Sequence, residues 1–474
     1  MIKRNTGRSS GGAWYECCGK GEDEWGRCGD RITILPAVLL WLIGTGGLLA
    51  QSVRLDPASF PPRLPQGQLV VYDQSEKMLV PADTLLPGVQ VAKTPPRVSF
   101  AFYPGQDYPG NPWSNWADGT VRQGKYYSAI GDHRGPDGNA FVFEYDPEAV
   151  SEEKFFLKLV DLKLLLRQPE GHYSPGKIHS RLDFGSDGWL YCATHRGSPR
   201  YTTAQYHYQG DWIVRCDPET GRAEVVVHAP VGKHCIPCSV LDPERMIFYG
   251  GTAAGEGSEV RFFAYDIPGR RLLCDFPDGP ARYMILAAST GRVYFTSKNT
   301  ETPLLRFDPR NPAALESLPV TIGIRAATRE TPQGIVYTVS QGQAGSESRL
   351  YAFDVRNESV RELGTAAVGR QQYIASLDAD PSGRYLYYIP GAHGGSTTDG
   401  SPVVQYDTRT GRKKVLAFLH PYFQQKYGIS LVGTYSTAVD EEGKRLFITW
   451  NVSRGSRAWD CCGVMVVEIP ESER

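Results

Sequence analysis

Three cationic or imidazole side chains share one spacing. His179, Arg282 and Arg325 each stand nine residues before a glycine, at Gly188, Gly291 and Gly334, and His195, Lys298 and Gln341 each stand seven residues after the same glycine. If each glycine closes a hairpin turn, both members of a pair lie at one end of that hairpin, and six polar side chains from three hairpins share a face. His133, His234, His393, Tyr373, Tyr435 and Asn451 occupy looser versions of these positions. The set suits two chemistries. Arg and Lys hold carboxylate or phosphate through charge-assisted hydrogen bonds, Arg in bidentate fashion. Neutral His with Gln ligates divalent metals, and a further His carries protons. His179 and His195 are therefore candidate acid–base residues, and Arg181, Arg282, Lys298, Arg325, Gln341 and Tyr373 are candidates for holding a ligand. His133, His234 and His393 are candidate ligands of a divalent metal cofactor. The competing account is that polar residues at strand ends only satisfy backbone groups there, or pair locally as Arg181 can with Asp183.

The elements that must position these residues repeat along the chain. A hydrophobic strand ending in an acidic residue recurs as FEYDP at Asp146, RCDPETG at Asp217, AYDIPG at Asp266, RFDPR at Asp308, AFDVR at Asp354, QYDTRTG at Asp407 and VVEIP at Glu468. From Asp217 onward the intervals are 49, 42, 46, 53 and 61 residues. The acidic side chain can bind backbone amides just ahead of it and so opens a turn, while the glycine of DPETG or DTRTG takes a left-handed conformation. A second hairpin precedes each marker, as in LDFGSDGWLYCATH (182–195) and LDADPSGRYLYYIPGAH (377–393). Two hairpins in tandem make a four-stranded antiparallel sheet. Inner strands are expected to begin near 97, 178, 235, 283, 325, 374 and 434.

This repeat resembles the broad WD40-like or quinoprotein-like β-propeller superfamily over residues 67–470, without the GH and WD signatures of strict WD40 repeats. The resemblance implies an all-β, seven-bladed propeller of four-stranded antiparallel blades, with eight blades as the alternative count. The C-terminal unit supplies three strands and ends at Ile469, while QLVVYDQSEKMLV (68–80) leaves strands over, so N- and C-terminal strands are expected to close the ring. Two runs, 159–167 and 420–428, read as short helices on the rim.

Composition narrows the function classes. Gly (51), Pro (34) and Tyr (26) are abundant and Met (5) is scarce, which favours short strands and tight turns. Lys+Arg (51) nearly equals Asp+Glu (52), so no overall basic field exists to attract nucleic acid. Residues 1–31 read as a non-globular extension. The apolar run 32–50, preceded by Arg27 and Arg31, reads as a signal peptide cleaved near Ala50 or as an uncleaved membrane anchor. Residues 51–66 form a linker and 67–474 the propeller. Either reading of 32–50 exports the domain to a periplasmic or extracellular location. Seven cysteines follow residue 50. Cys192, Cys216 and Cys274 sit in apolar runs as small hydrophobes, whereas Cys235-Cys238 and Cys461-Cys462 have the spacing to form disulfides.

Three functions fit these residues. The first is binding of an anionic small molecule or carbohydrate at the channel mouth. The second is a metal-assisted lyase or hydrolase on the same His/Arg face, a site chemistry that resembles that of propeller polysaccharide lyases. The third is a non-catalytic scaffold for a protein partner.

Overall fold

The computed structural model describes residues 63–106, 114–133, 137–280, 282–297, 303–342, 346–454 and 460–474. The expectations for 1–31, 32–50 and 51–62 lie outside the described residues. Among the described residues no helix is long and apolar enough to cross a membrane.

Seven sheets follow one another along the chain and form a seven-bladed propeller. Blade 1 runs from Thr120–Arg122 to Phe156–Asp161, blade 2 from Lys177–Ile178 to Arg222–His228, and blade 3 from His234–Asp242 to Arg271–Phe276. Blade 4 spans Ile285–Ala287 to Leu315–Leu318, blade 5 Ala326–Ala327 to Ser359–Thr365, and blade 6 Leu377–Ala379 to Arg412–Phe418. Blade 7 takes its three inner strands, Ser430–Val439, Arg445–Ser453 and Cys461–Glu468, from the end of the chain.

The turn chemistry expected from the repeat is present. Asp217, Asp308, Asp354 and Asp407 each accept the amide two residues ahead, and Asp266 accepts that of Gly269. Gly221 and Gly411 both have φ of 70°, the left-handed conformation that glycine adopts without a Cβ penalty. One recurrent feature is not visible in the repeat. In blades 1, 2, 3, 5 and 6 the pairing of the two outer strands slips by one residue, as between Ile213 and Val214, a bulge that increases local twist.

Closure differs from the expected pairing in one respect. Arg97–Phe102 is not the inner strand of the first blade; it pairs with Cys461–Glu468 as an outer strand of blade 7, and Val70–Asp73 adds beyond it. Five of its six residues are buried, so the strand needs cover on both faces, and the three-stranded end of the chain supplies an open edge for it. Thr120–Arg122 takes the inner place in blade 1. The helix Tyr422–Tyr427 fastens this closure, because Tyr422, Lys426 and Tyr427 all bind the Asp73 carboxylate. The other expected helix is shortened to Leu162–Leu166, since Phe156–Asp161 extends blade 1 and the Asp161 side chain caps the helix at Leu164.

Seven apolar clusters fill the seven junctions between neighbouring blades. Leu446, Ile448 and Trp450 of blade 7 pack on Tyr387 and Leu416 of blade 6, for instance, and Phe447 and Val464 of blade 7 pack on Ile130 and Phe143 of blade 1. The remaining five junctions carry equivalent clusters, so the ring is continuous. The seven cysteines after residue 50 are free thiols, all buried except the half-buried Cys274. Cys235-Cys238 and Cys461-Cys462 form no disulfide; they serve as small apolar side chains within strands.

Candidate functional site

The inner strands of blades 2, 4, 5 and 6 are only two or three residues long. The residues beside them therefore leave the ladder and turn into the channel. His179 follows Lys177–Ile178, Arg282 precedes Ile285–Ala287, and Arg325 precedes Ala326–Ala327 with its amide bound to Val339 O. All three line one pocket, together with Arg181, Trp116 and Tyr435. Asp118, Cys238, Ser239, Tyr283 and Ala375 complete the lining, so every blade contributes.

Trp116 organises the imidazoles. Its ring centroid lies 5.2 Å from that of His133, 5.6 Å from those of His179 and His393, and 4.5 Å from that of Tyr435. Lys177 Nζ sits 4.3 Å from the indole centroid. The segment carrying Trp116 is held by Asn115, which donates to Ala117 O and Ala129 O, and by Trp116 Nε1 donating to Ser114 Oγ. His133 reaches this cluster because Gly197 leaves room for it: a Cβ at 197 would lie 2.4 Å from the His133 carbonyl carbon.

His179 has a defined tautomer. Nδ1 lies 2.7 Å from the carbonyl oxygen of Pro237, which can only accept, so Nδ1 carries the proton and Nε2 the lone pair. Nε2 is buried and has no hydrogen-bond partner. Burial, reinforced by Lys177, Arg282 and Arg325, holds the His179 pKa well below its ordinary value. His195, 5.5 Å away ring to ring, is neutralised by burial and by Lys177, and donates Nδ1–H to Arg196 O.

Arg325 is 3% exposed, and its partners are neutral. Nε donates to Tyr373 Oη at 2.8 Å and one terminal nitrogen to Ala375 O at 3.4 Å, while the other terminal nitrogen has no partner. Its guanidinium carbon lies 4.9 Å from the Tyr373 centroid and 5.7 Å from that of Tyr435. Arg181, by contrast, is compensated: it pairs with Asp183 at 3.2 Å and donates to Tyr283 Oη at 3.0 Å.

An acidic group adjoins the pocket. Asp118 accepts from Tyr283 at 2.7 Å and from Ser376 at 2.7 Å, and Asp183 also pairs with Arg329 at 2.9 Å. Asp378 accepts from Thr437 Oγ1. Burial raises the pKa of Asp118, and burial together with the Asp118 charge pushes that of Asp378 up to about 7.

The structure thus brings His179, Arg181, Arg282 and Arg325 to one pocket, with Tyr373 and His195 directly behind them and His133 and His393 around Trp116. Gln341 is half-buried and is not among the lining residues. His234 turns to its own loop, with Nδ1 2.9 Å from Gly232 O. Lys298 lies outside the described residues. Among the described residues no group of three or more His, Cys, Asp or Glu side chains is placed to hold a metal ion, the set His133, His234 and His393 included. The repeat does not point to Trp116, Asp118, Lys177 or Tyr283. Nine residues before Gly124, a left-handed glycine like Gly188, Gly291 and Gly334, stands Asn115, so the same spacing leads to the Trp116 segment once blade 1 is placed correctly.

No protein-family model matches the chain, and no curated protein matches it in sequence. Solved structures do match in fold. An oligogalacturonate lyase from Vibrio parahaemolyticus superposes with a TM-score of 0.54 at 10% identity, over 86% of this chain and 99% of that one. The propeller domain of the Trilobed protease from Pyrococcus furiosus gives a TM-score of 0.44 at 9% identity, over 76% of this chain and 95% of that one. U3-55K gives 0.49 at 10% identity, over 78% and 98%. The first of these likenesses is one of fold, the β-propeller.

Two of the perturbed groups, His179 and Asp378, make opposite contributions to stability. The unfolded chain protonates His179 near pH 6.5 while the folded protein does not, so its contribution is present above that pH and is lost as pH falls. Asp378 keeps its proton in the folded state to about pH 7, whereas an unfolded Asp ionises near 3.9, so its contribution is lost as pH rises through about 7. Asp378→Asn should therefore gain stability relative to the wild type as pH is raised from 5 to 8 in urea denaturation. Parallel pH profiles for the two proteins would contradict the raised pKa.

Proposed function

We propose that the protein binds an anionic small molecule, a carbohydrate acid among the candidates, in the pocket at its channel mouth. The observation that carries this reading is Arg325. A guanidinium buried to 3% exposure without a carboxylate partner is costly, and an incoming anion would compensate both its charge and its unpaired nitrogen. Arg282 and Lys177 add positive charge around the same point, while His179 stays neutral and does not block it. The fold likeness to an oligogalacturonate lyase is compatible with a carbohydrate ligand. A second reading, catalysis on the bound anion, is favoured by His179: a neutral imidazole with a free lone pair in the pocket has the form of a general base.

Binding is checked by calorimetry against a panel of simple carboxylates and uronic acids. Arg325→Ala should abolish the heat of binding while the melting temperature stays within a few degrees of the wild type; retained binding in a folded variant would refute the assignment. Export through residues 32–50 belongs to the same proposal. Sequencing the N-terminus of the protein recovered from its native host should find cleavage near Ala50 or an intact, membrane-associated chain, and a cytosolic uncleaved chain would count against export.

A further inference from the structure

Two unsatisfied groups of opposite hydrogen-bonding sense share the pocket. Arg325 presents a terminal nitrogen that can only donate, and His179 presents Nε2, which can only accept because its proton is on Nδ1 toward Pro237. Both belong to side chains at least nine-tenths buried, at 3% and 7% exposure. Tyr435 adjoins both: its ring centroid is 5.7 Å from the Arg325 guanidinium carbon and 6.3 Å from the His179 ring. Both side chains line the same pocket, and the Arg325 charge acts on His179. Each buried group left unpaired costs free energy, so the occupant that fits best satisfies both at once.

We infer that the pocket selects a hydroxycarboxylate, with the carboxylate on Arg325 and a hydroxyl of the same molecule donating to His179 Nε2. This deepens the anion-binding reading and rests on it. A plain carboxylate would satisfy Arg325 and leave Nε2 unpaired. An amino acid offers N–H donors in place of the hydroxyl, but its ammonium would enter beside Arg282, Arg325 and Lys177, three cations whose charge adds to burial in keeping His179 unprotonated. Asp118, the acidic group in the lining, does not reverse this, since its two oxygens already accept from Tyr283 and Ser376 and it lies in the field of Arg181.

The test compares matched acids by NMR titration of the intact propeller: L-lactate with propionate, 3-hydroxybutyrate with butyrate, and L-alanine as the ammonium counterpart. At least one hydroxy acid should bind about tenfold tighter than its deoxy partner, the worth of one hydrogen bond to a buried acceptor, and alanine should bind more weakly than propionate. His179→Ala should bring the hydroxy and deoxy acids to within about twofold of each other. Should that variant fail to fold, the wild-type ratios alone decide. Equal binding of hydroxy and deoxy acids overturns the hydroxycarboxylate inference and leaves the anion site standing. Absence of binding by every acid in the series overturns the anion reading itself.

Discussion

Seven inner strands converge on one axis, and their polar ends crowd into a space too narrow to be freely hydrated. Every charge brought there must be balanced by another side chain, neutralised by a shift in its proton affinity, or left for a ligand. The first two both occur. Arg181 and Arg329 are balanced by Asp183, His179 and His195 are kept neutral, and Asp378 is driven toward its protonated form by burial and Asp118. Arg325 follows none of the internal routes, because its partners are a phenol, a carbonyl and two aromatic faces. The channel is thereby divided between a compensated group and the surroundings of Arg325, which has no carboxylate partner.

This division depends on the ring being closed. The apolar clusters at the seven junctions hold neighbouring blades together, and Arg97–Phe102, completing the last blade, gives Ala101 to the cluster between blades 7 and 1 and Val98, Phe100 and Phe102 to that between blades 6 and 7. Closure also brings Asn115 against Asn451, whose side chain accepts the Asn115 amide at 2.7 Å. That contact seats the segment bearing Trp116, and Trp116 in turn spaces His133, His179 and His393. A bond at the junction of the chain's two ends therefore sets the geometry of the pocket.

Much of the fold is legible in the amino-acid sequence because its signals are local. An Asp that binds an amide just ahead, or a glycine at positive φ, leaves a similar trace in successive blades, and the count of seven follows from it. The register that places His179, Arg282 and Arg325 together is legible for the same reason. Local signals do not determine which strand fills an edge, so the repeat puts Arg97–Phe102 at the start of the ring although its burial on both faces suits the end. That one displacement hides Trp116 and Asp118. Lys177 and Tyr283 escape for a different reason: their roles arise from contacts across blades, at the indole of Trp116 and the carboxylate of Asp118, which no spacing within a blade encodes. His234, placed by loose analogy, hydrogen-bonds its own loop instead.

The central claim is that the pocket holds an anion against Arg325. Anomalous diffraction from a crystal soaked in sodium bromide tests it whatever the natural ligand is. A bromide peak is expected within hydrogen-bonding reach of the unpaired Arg325 nitrogen. Bromide bound at exposed Arg and Lys side chains, with no peak in the pocket, would contradict it.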